Sequence, residues 1–361
     1  SDPEKIKDAW DSTKLRLKSE WLQVGFNTID IKIQNDYGHH GNGLHFVLDV
    51  DQKQYLYSQT EPYNFNQIVP AFDQPDLKAY ARFYFMHPKD WVVASNTERQ
   101  VQFTDLKSEF LKGHDFLGTV QKFLGEDFES DDCFLAIHRK TKRLSSYLFC
   151  VVAGPYQCIE LPKAERYRDI PMSIYFRKSL EEFAVPLSAK VFEVSKKGLE
   201  FYENFFGHPY PFSKWDTAFC PEFTVGAMEY PGIVTYSDSF IFKEKNPPRS
   251  RISYLVMVIL HEMAHMWFGD YVTMRWWDGL WLNESFAEIM NFKSLSEIQG
   301  SLSFPTDKAW SMMNECKNWG YRTDANSNTH AIQSEVANTE VADAIFDGIT
   351  YSKGAAVIQQ L

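Results

Sequence analysis

Apolar residues recur along this chain with two different periods, and the change of period divides it. From Thr28 the pattern alternates, as in Ile29-Asp30-Ile31-Lys32-Ile33, and it does so again over residues 55–58, 81–85 and 91–95. Such runs, punctuated by Asn35-Asp36-Tyr37-Gly38 and by Pro70, Pro75 and Pro88, predict short strands. Residues 106–125 break the pattern: Phe110, Leu111, Phe116, Val120, Phe123 and Leu124 fall at helical spacing and predict an insertion packed on the sheet. Strand character returns at residues 133–137, 147–152 and 172–176. Beyond about residue 180 helical periods dominate, beginning with residues 188–206. The expectation is an α+β protein with a β-rich domain over residues 1–179 and a mixed, helix-dominated domain over residues 180–361.

One predicted helix carries most of the chemistry. Residues 251–268 contain no Gly or Pro, follow Pro247-Pro248-Arg249-Ser250 and stop at Gly269, so Ser250 is the expected N-cap and Gly269 the expected residue past the C-terminus. The run Leu255-Val256-Met257-Val258-Ile259-Leu260 predicts a helix buried on most sides, and it is too short to span a bilayer. Next comes His261-Glu262-Met263-Ala264-His265. Histidines four apart on a helix sit roughly 40° apart around the axis and about 6 Å apart along it, so both imidazoles can reach one ion. A second helix, expected over residues 283–299 and closing at Gly300, presents Glu284 as a third ligand.

The pattern H-E-x-x-H is the zinc-protease signature, with His261 and His265 as ligands of one Zn²⁺ and Glu262 handling protons. Two histidines at this spacing also occur as ordinary packed residues; the carboxylate on the next helix favours the metal. Three ligands leave a fourth position for water, which the ion acidifies, and Glu262 can take its proton and pass it to a leaving amine.

Composition narrows the remaining choices. With 361 residues, 44% hydrophobic and 24% charged, the chain is globular and long enough for two cores. A net charge of −11, with no Lys/Arg cluster interleaved with aromatics, argues against nucleic acid as a partner. Cys133, Cys150, Cys158, Cys220 and Cys316 are scattered and odd in number, which suits reduced core residues of an intracellular, cytoplasmic protein. The first residues, Ser1-Asp2-Pro3-Glu4-Lys5, show no apolar targeting core, and no stretch reaches transmembrane length.

Three separated blocks carry a resemblance. Gln59-Thr60-Glu61-Pro62 with Ala71-Phe72-Asp73-Gln74-Pro75 is the first. Phe223-Thr224-Val225-Gly226-Ala227-Met228-Glu229-Tyr230, close to a G-A-M-E-N motif and continued by His261 through Glu284, is the second. Thr350-Tyr351-Ser352-Lys353-Gly354-Ala355 is the third. In these blocks, and from about residue 28 to the end, the chain resembles the M1 family of zinc aminopeptidases, the gluzincins typified by aminopeptidase N. Gly43-Leu44-His45 with Asp49 and Asp51 is similar to the aminopeptidase N branch.

The resemblance implies a saddle-like β-rich N-terminal domain followed by a thermolysin-like α/β domain, and peptides with a free N-terminus as substrates. It implies that Tyr351 donates to the oxyanion, that Glu61 and Glu229 hold the α-ammonium, and that Gln59, Gly226, Ala227 and Met228 contact substrate. The chain departs from the family at Tyr230, where the motif has Asn, and it ends at Leu361, where the family continues into a large helical C-terminal domain. That shortness leaves open a non-catalytic relative serving as a binding or assembly module. A zinc endopeptidase would share the two histidines and have no need of Glu61 and Glu229.

Overall fold

The computed structural model describes residues 14–104, 118 and 132–361; the helix expected over residues 106–125 lies outside them apart from residue 118. Strands β1 (Gly43–Leu48), β2 (Gln54–Gln59), β3 (Tyr84–Pro88), β4 (Val92–Ser95), β5 (Arg99–Phe103), β6 (Cys133–His138) and β7 (Val151–Gly154) form two antiparallel sheets, ordered β1-β2-β7-β4 and β3-β6-β5. Strand β2 is buried on both faces because successive side chains point opposite ways. Tyr55 and Tyr57 enter a core shared with Cys220, Met228, Tyr230 and Trp277, while Leu56 packs with Val93 and Ala153 on the other side. The same alternation carries Gln59 to the Tyr57 face and delivers Glu61 just beyond the strand end.

The strand expected at residues 29–33 does not form. Ile29, Ile31 and Ile33 are exposed, because an alternating pattern specifies a face but supplies no partner edge to pair with. The cysteines likewise are not all core: Cys150 and Cys220 are buried, Cys133 and Cys316 half-buried and Cys158 exposed.

A third, mixed sheet combines β8 (Tyr156–Glu160), β9 (Ser173–Arg177), β10 (Asp216–Cys220), β11 (Ala227–Met228) and β12 (Ile233–Ser237) in the order β11-β12-β10-β9-β8. Its centre, β9-β10-β12, is parallel, and both edges are antiparallel. The change of period at residue 180 marks the start of α1 (Glu181–Phe206), while pairing carries this sheet back to residue 156.

Helices α2 (Arg249–His265), α3 (Leu280–Ile298) and α4 (Ala309–Asp324) follow, then α5 (Thr339–Ala344), a π-helical turn (Ile349–Lys353) and α6 (Gly354–Ile358). One core cluster joins α1, α2 and α3 through residues such as Val191, Leu199, Leu260, Met263 and Leu295. Ser250 is not the cap of α2. Pro248 holds that position at φ −53°, ψ 142°, so helical geometry begins at Arg249 and Ser250 lies inside. Among the described residues, no helix is long and apolar enough to cross a membrane.

His138 gives the fold a pH dependence of its own. Its Nδ1 lies 2.8 Å from the Thr97 carbonyl, its Nε2 finds no partner among the described residues, and burial lowers its pKa to about 4. In the unfolded chain the group returns to about 6.5, so its contribution to stability is complete above that pH and is lost as pH falls toward 4. The expected loss is about 3 kcal/mol across that window. Denaturant unfolding between pH 7 and 4 measures it, and the His138→Gln variant should show a correspondingly flatter dependence.

Candidate metal centre

The centre forms where α2 and α3 pack against each other. Helix α2 ends with His261, Glu262 and His265 on buried positions, and the first turns of α3 bury Glu284. Glu284 Oε2 lies 3.2 Å from His261 Nε2 and 3.4 Å from His265 Nε2. The edge of a tetrahedron built on zinc bonds of 2.0–2.1 Å is about 3.4 Å, so these separations are those of three ligands around one ion. The ligand atoms of His261, His265 and Glu284 all lie within 4.8 Å of one another.

The outer nitrogens are already committed. His265 Nδ1 is 2.6 Å from Asn283 Oδ1 and 3.1 Å from the Phe268 carbonyl, and His261 Nδ1 is 3.4 Å from Glu288 Oε2. That leaves both Nε2 atoms for the metal, the outer-shell arrangement that fixes tautomer and ring orientation. Against the upward push of burial, the paired imidazoles hold the Glu284 carboxyl down at about 2. Burial would lower His261, but Glu284 and Glu288 override it and raise the imidazole to about 9. The donor set fits Zn²⁺. Asn283 can reach His265 because residue 269 is glycine: at φ +128° a Cβ there would stand 2.3 Å from Asn283 Oδ1.

Carboxylates from two other sheets converge on the same point. Glu61 follows β2 and Glu229 follows β11; oxygens of Glu61, Glu229 and Glu284 lie within 4.8 Å of one another, as do ligand atoms of Glu229, Glu262 and His265. Asn283 Nδ2 donates to Glu229 Oε1 at 3.3 Å. Glu61 Oε1 is buried and finds no hydrogen-bond partner among the described residues. Burial first, and then Glu229, push the Glu61 carboxyl well above its usual range.

A cavity of about 640 Å³ opens over the centre, with Gln59, Glu61, Gly226, Ala227, Glu262 and Tyr351 on its walls. Burial raises Glu262 to about 8, an effect that His261 and His265 oppose. Strand β11 is the sheet edge at this cavity, so one side of its backbone is not paired within the sheet. Met228 and Glu229 do not line the cavity. The Met228 side chain is 1% exposed and lies 3.8 Å from the Gln59 amide, so its link to a substrate would run through Gln59.

Tyr351 reaches the centre from the π-helical turn, a rare geometry that often marks functional positions. Asp347 Oδ1 accepts from the amides of Ile349 and Thr350 and holds the turn. The Tyr351 ring stacks on His261 with centroids 5.9 Å apart, and burial followed by the Glu284 charge keeps its hydroxyl protonated well above pH 10. The turn is fixed to α3 by Ser285, whose hydroxyl donates to the Thr350 carbonyl at 2.6 Å. A Cβ on Gly354 would collide with the Ser285 hydroxyl oxygen. Gly354→Ala should therefore destabilise the chain by about 1–3 kcal/mol in denaturant unfolding and move the Tyr351 ring off His261.

Sequence reasoning missed Asn283, Glu288 and Asp347. For Glu288 a signal existed: it stands four residues after Glu284 and so shares its helix face. Asn283 and Asp347 act through side-chain hydrogen bonds that no spacing announces.

Known proteins resemble this chain over most of its length. The Peptidase family M1 domain matches residues 191–361, and the Peptidase M1 N-terminal domain matches residues 14–121. Aminopeptidase N of Streptomyces lividans is 35% identical over 98% of this chain and 38% of its own length. Aminopeptidase M1-A of Oryza sativa subsp. japonica is 29% identical over 95% of this chain and 35% of its own. Aminopeptidase 2, mitochondrial, of Saccharomyces cerevisiae is 31% identical over 87% of this chain and 29% of its own. The chain thus spans about a third of the length of the curated relatives it matches.

Proposed function

The chain belongs to peptidase family M1, and from that premise we propose that it removes N-terminal residues from peptides with one Zn²⁺ held by His261, His265 and Glu284. The observation that carries this reading is the buried, unpartnered Glu61 Oε1 beside Glu229, a few ångströms from the ligand set. Two carboxylates forced together by burial are a site for a cation, and a substrate's α-ammonium supplies one.

An extended substrate would add to the β11 edge through the outward-facing backbone of Ala227, beside Gly226, whose carbonyl accepts from the Ser237 amide. Zn²⁺ held by His261, His265 and Glu284 would supply Lewis acidity and positive charge, beside which Glu262 stands as its carboxylate. Glu262 then takes a proton from the attacking water and returns it to the departing amine. Tyr351 donates its hydroxyl proton to the developing oxyanion as a hydrogen bond. Asn283 orients both His265 and Glu229, so that metal site and anchor are set by one side chain. An odd number of scattered cysteines fits an intracellular setting.

Chelation tests the metal requirement. Dialysis against a strong chelator should abolish release of single N-terminal residues, followed by mass spectrometry, and about one equivalent of Zn²⁺ per chain should restore it. Activity that survives metal removal would overturn the proposal.

A further inference from the structure

Glu61 and Glu229 stand at the ends of strands in different sheets, so no backbone ladder sets the distance between them. The residue after Glu229 crosses that gap. Tyr230 is fully buried, and its hydroxyl accepts from the Thr60 amide at 2.9 Å, lies 2.9 Å from Thr60 Oγ1 and is 3.1 Å from the Ser58 carbonyl. Thr60 Oγ1 donates its own proton to the Tyr147 carbonyl at 2.6 Å, so the phenol proton is the one shared between Thr60 Oγ1 and Ser58. The bonds fall on both sides of Gln59 and on the residue just before Glu61.

Resting on the aminopeptidase reading above, we propose that Tyr230 is a positioning residue, a strut joining the two segments that carry Glu229 and Glu61 and thereby fixing the spacing of the pair that receives the substrate's α-ammonium. The side chain explains the departure from the G-A-M-E-N pattern. An Asn ends at the substituents of Cγ, short of the para position from which the phenol oxygen reaches Ser58 and Thr60. A neutral strut of this kind acts on ground-state capture of the amine. It touches neither Glu262 nor Tyr351, so it acts on KM and leaves the chemical step alone.

The test uses the zinc-loaded full chain and its Tyr230→Phe variant on a short peptide with a free N-terminus and on the same peptide N-acetylated. Phe keeps the ring in the core and removes only the hydroxyl, leaving the Thr60 amide and Ser58 carbonyl without that partner. The expected result is a KM raised about 10-fold for the free peptide, kcat within about two-fold and zinc content unchanged. The preference for free over acetylated peptide should fall in proportion. An unchanged KM, or a loss confined to kcat or accompanied by lost zinc, overturns the strut while leaving the aminopeptidase reading standing. If the unmodified chain itself fails to prefer the free peptide, the aminopeptidase reading falls and the strut with it.

Discussion

Glu262→Gln should lower kcat by about 10²–10⁴-fold while the protein keeps its zinc. The side chain sits between the two histidines on α2, is 6% exposed and faces the cavity, and it stands outside the His261, His265 and Glu284 set. The amide is isosteric and cannot accept the proton of the attacking water. Metal content measured alongside kcat separates this from a damaged site: full zinc with activity lost is the expected pair. Retained turnover would remove Glu262 from the chemistry, and lost zinc would mean that it supports the metal instead.

The second large effect is expected at Glu229. Its carboxylate takes the Asn283 amide, lies 3.9 Å from His265 Nδ1 and shares a buried space with Glu61. On the proposed reading, truncation to Ala removes one of the two carboxyl groups that would receive an ammonium in a region of low dielectric. Such losses run to roughly 2–5 kcal/mol, so kcat/KM for free-amine peptides should fall roughly 30- to 5,000-fold. The Glu61 carboxyl should titrate lower at the same time, because Glu229 is the neighbouring charge that pushes hardest on it. A variant that cleaves as well as the parent would match an endopeptidase, which has no ammonium to hold.

What the sequence made legible follows from local periodicity. His261, Glu262 and His265 were readable because a helix repeats every 3.6 residues, and Glu284 because a second helix begins close behind. Glu61, Glu229 and Tyr351 lie 168 and 122 residues apart in turn, and only resemblance to a family connected them. The structure brings all of them to one cavity or its buried back wall.

The misses have the opposite character. Asn283 and Asp347 matter through side-chain hydrogen bonds, and a pattern of polar and apolar positions holds no information about which partner a buried polar atom will find; the motif marks Tyr230 as a departure but not that its hydroxyl meets Thr60 and Ser58. The unformed strand at residues 29–33 is the same lesson for the backbone: alternation was present, and a neighbouring edge was not.

The most direct measurement compares one short peptide in two forms, amino terminus free and N-acetylated, with zinc-loaded protein and Glu262→Gln as the blank. Shortening of the free peptide alone, one residue at a time from its N-terminus, is the expected result. Cleavage of both forms at similar rates, or of neither, contradicts it.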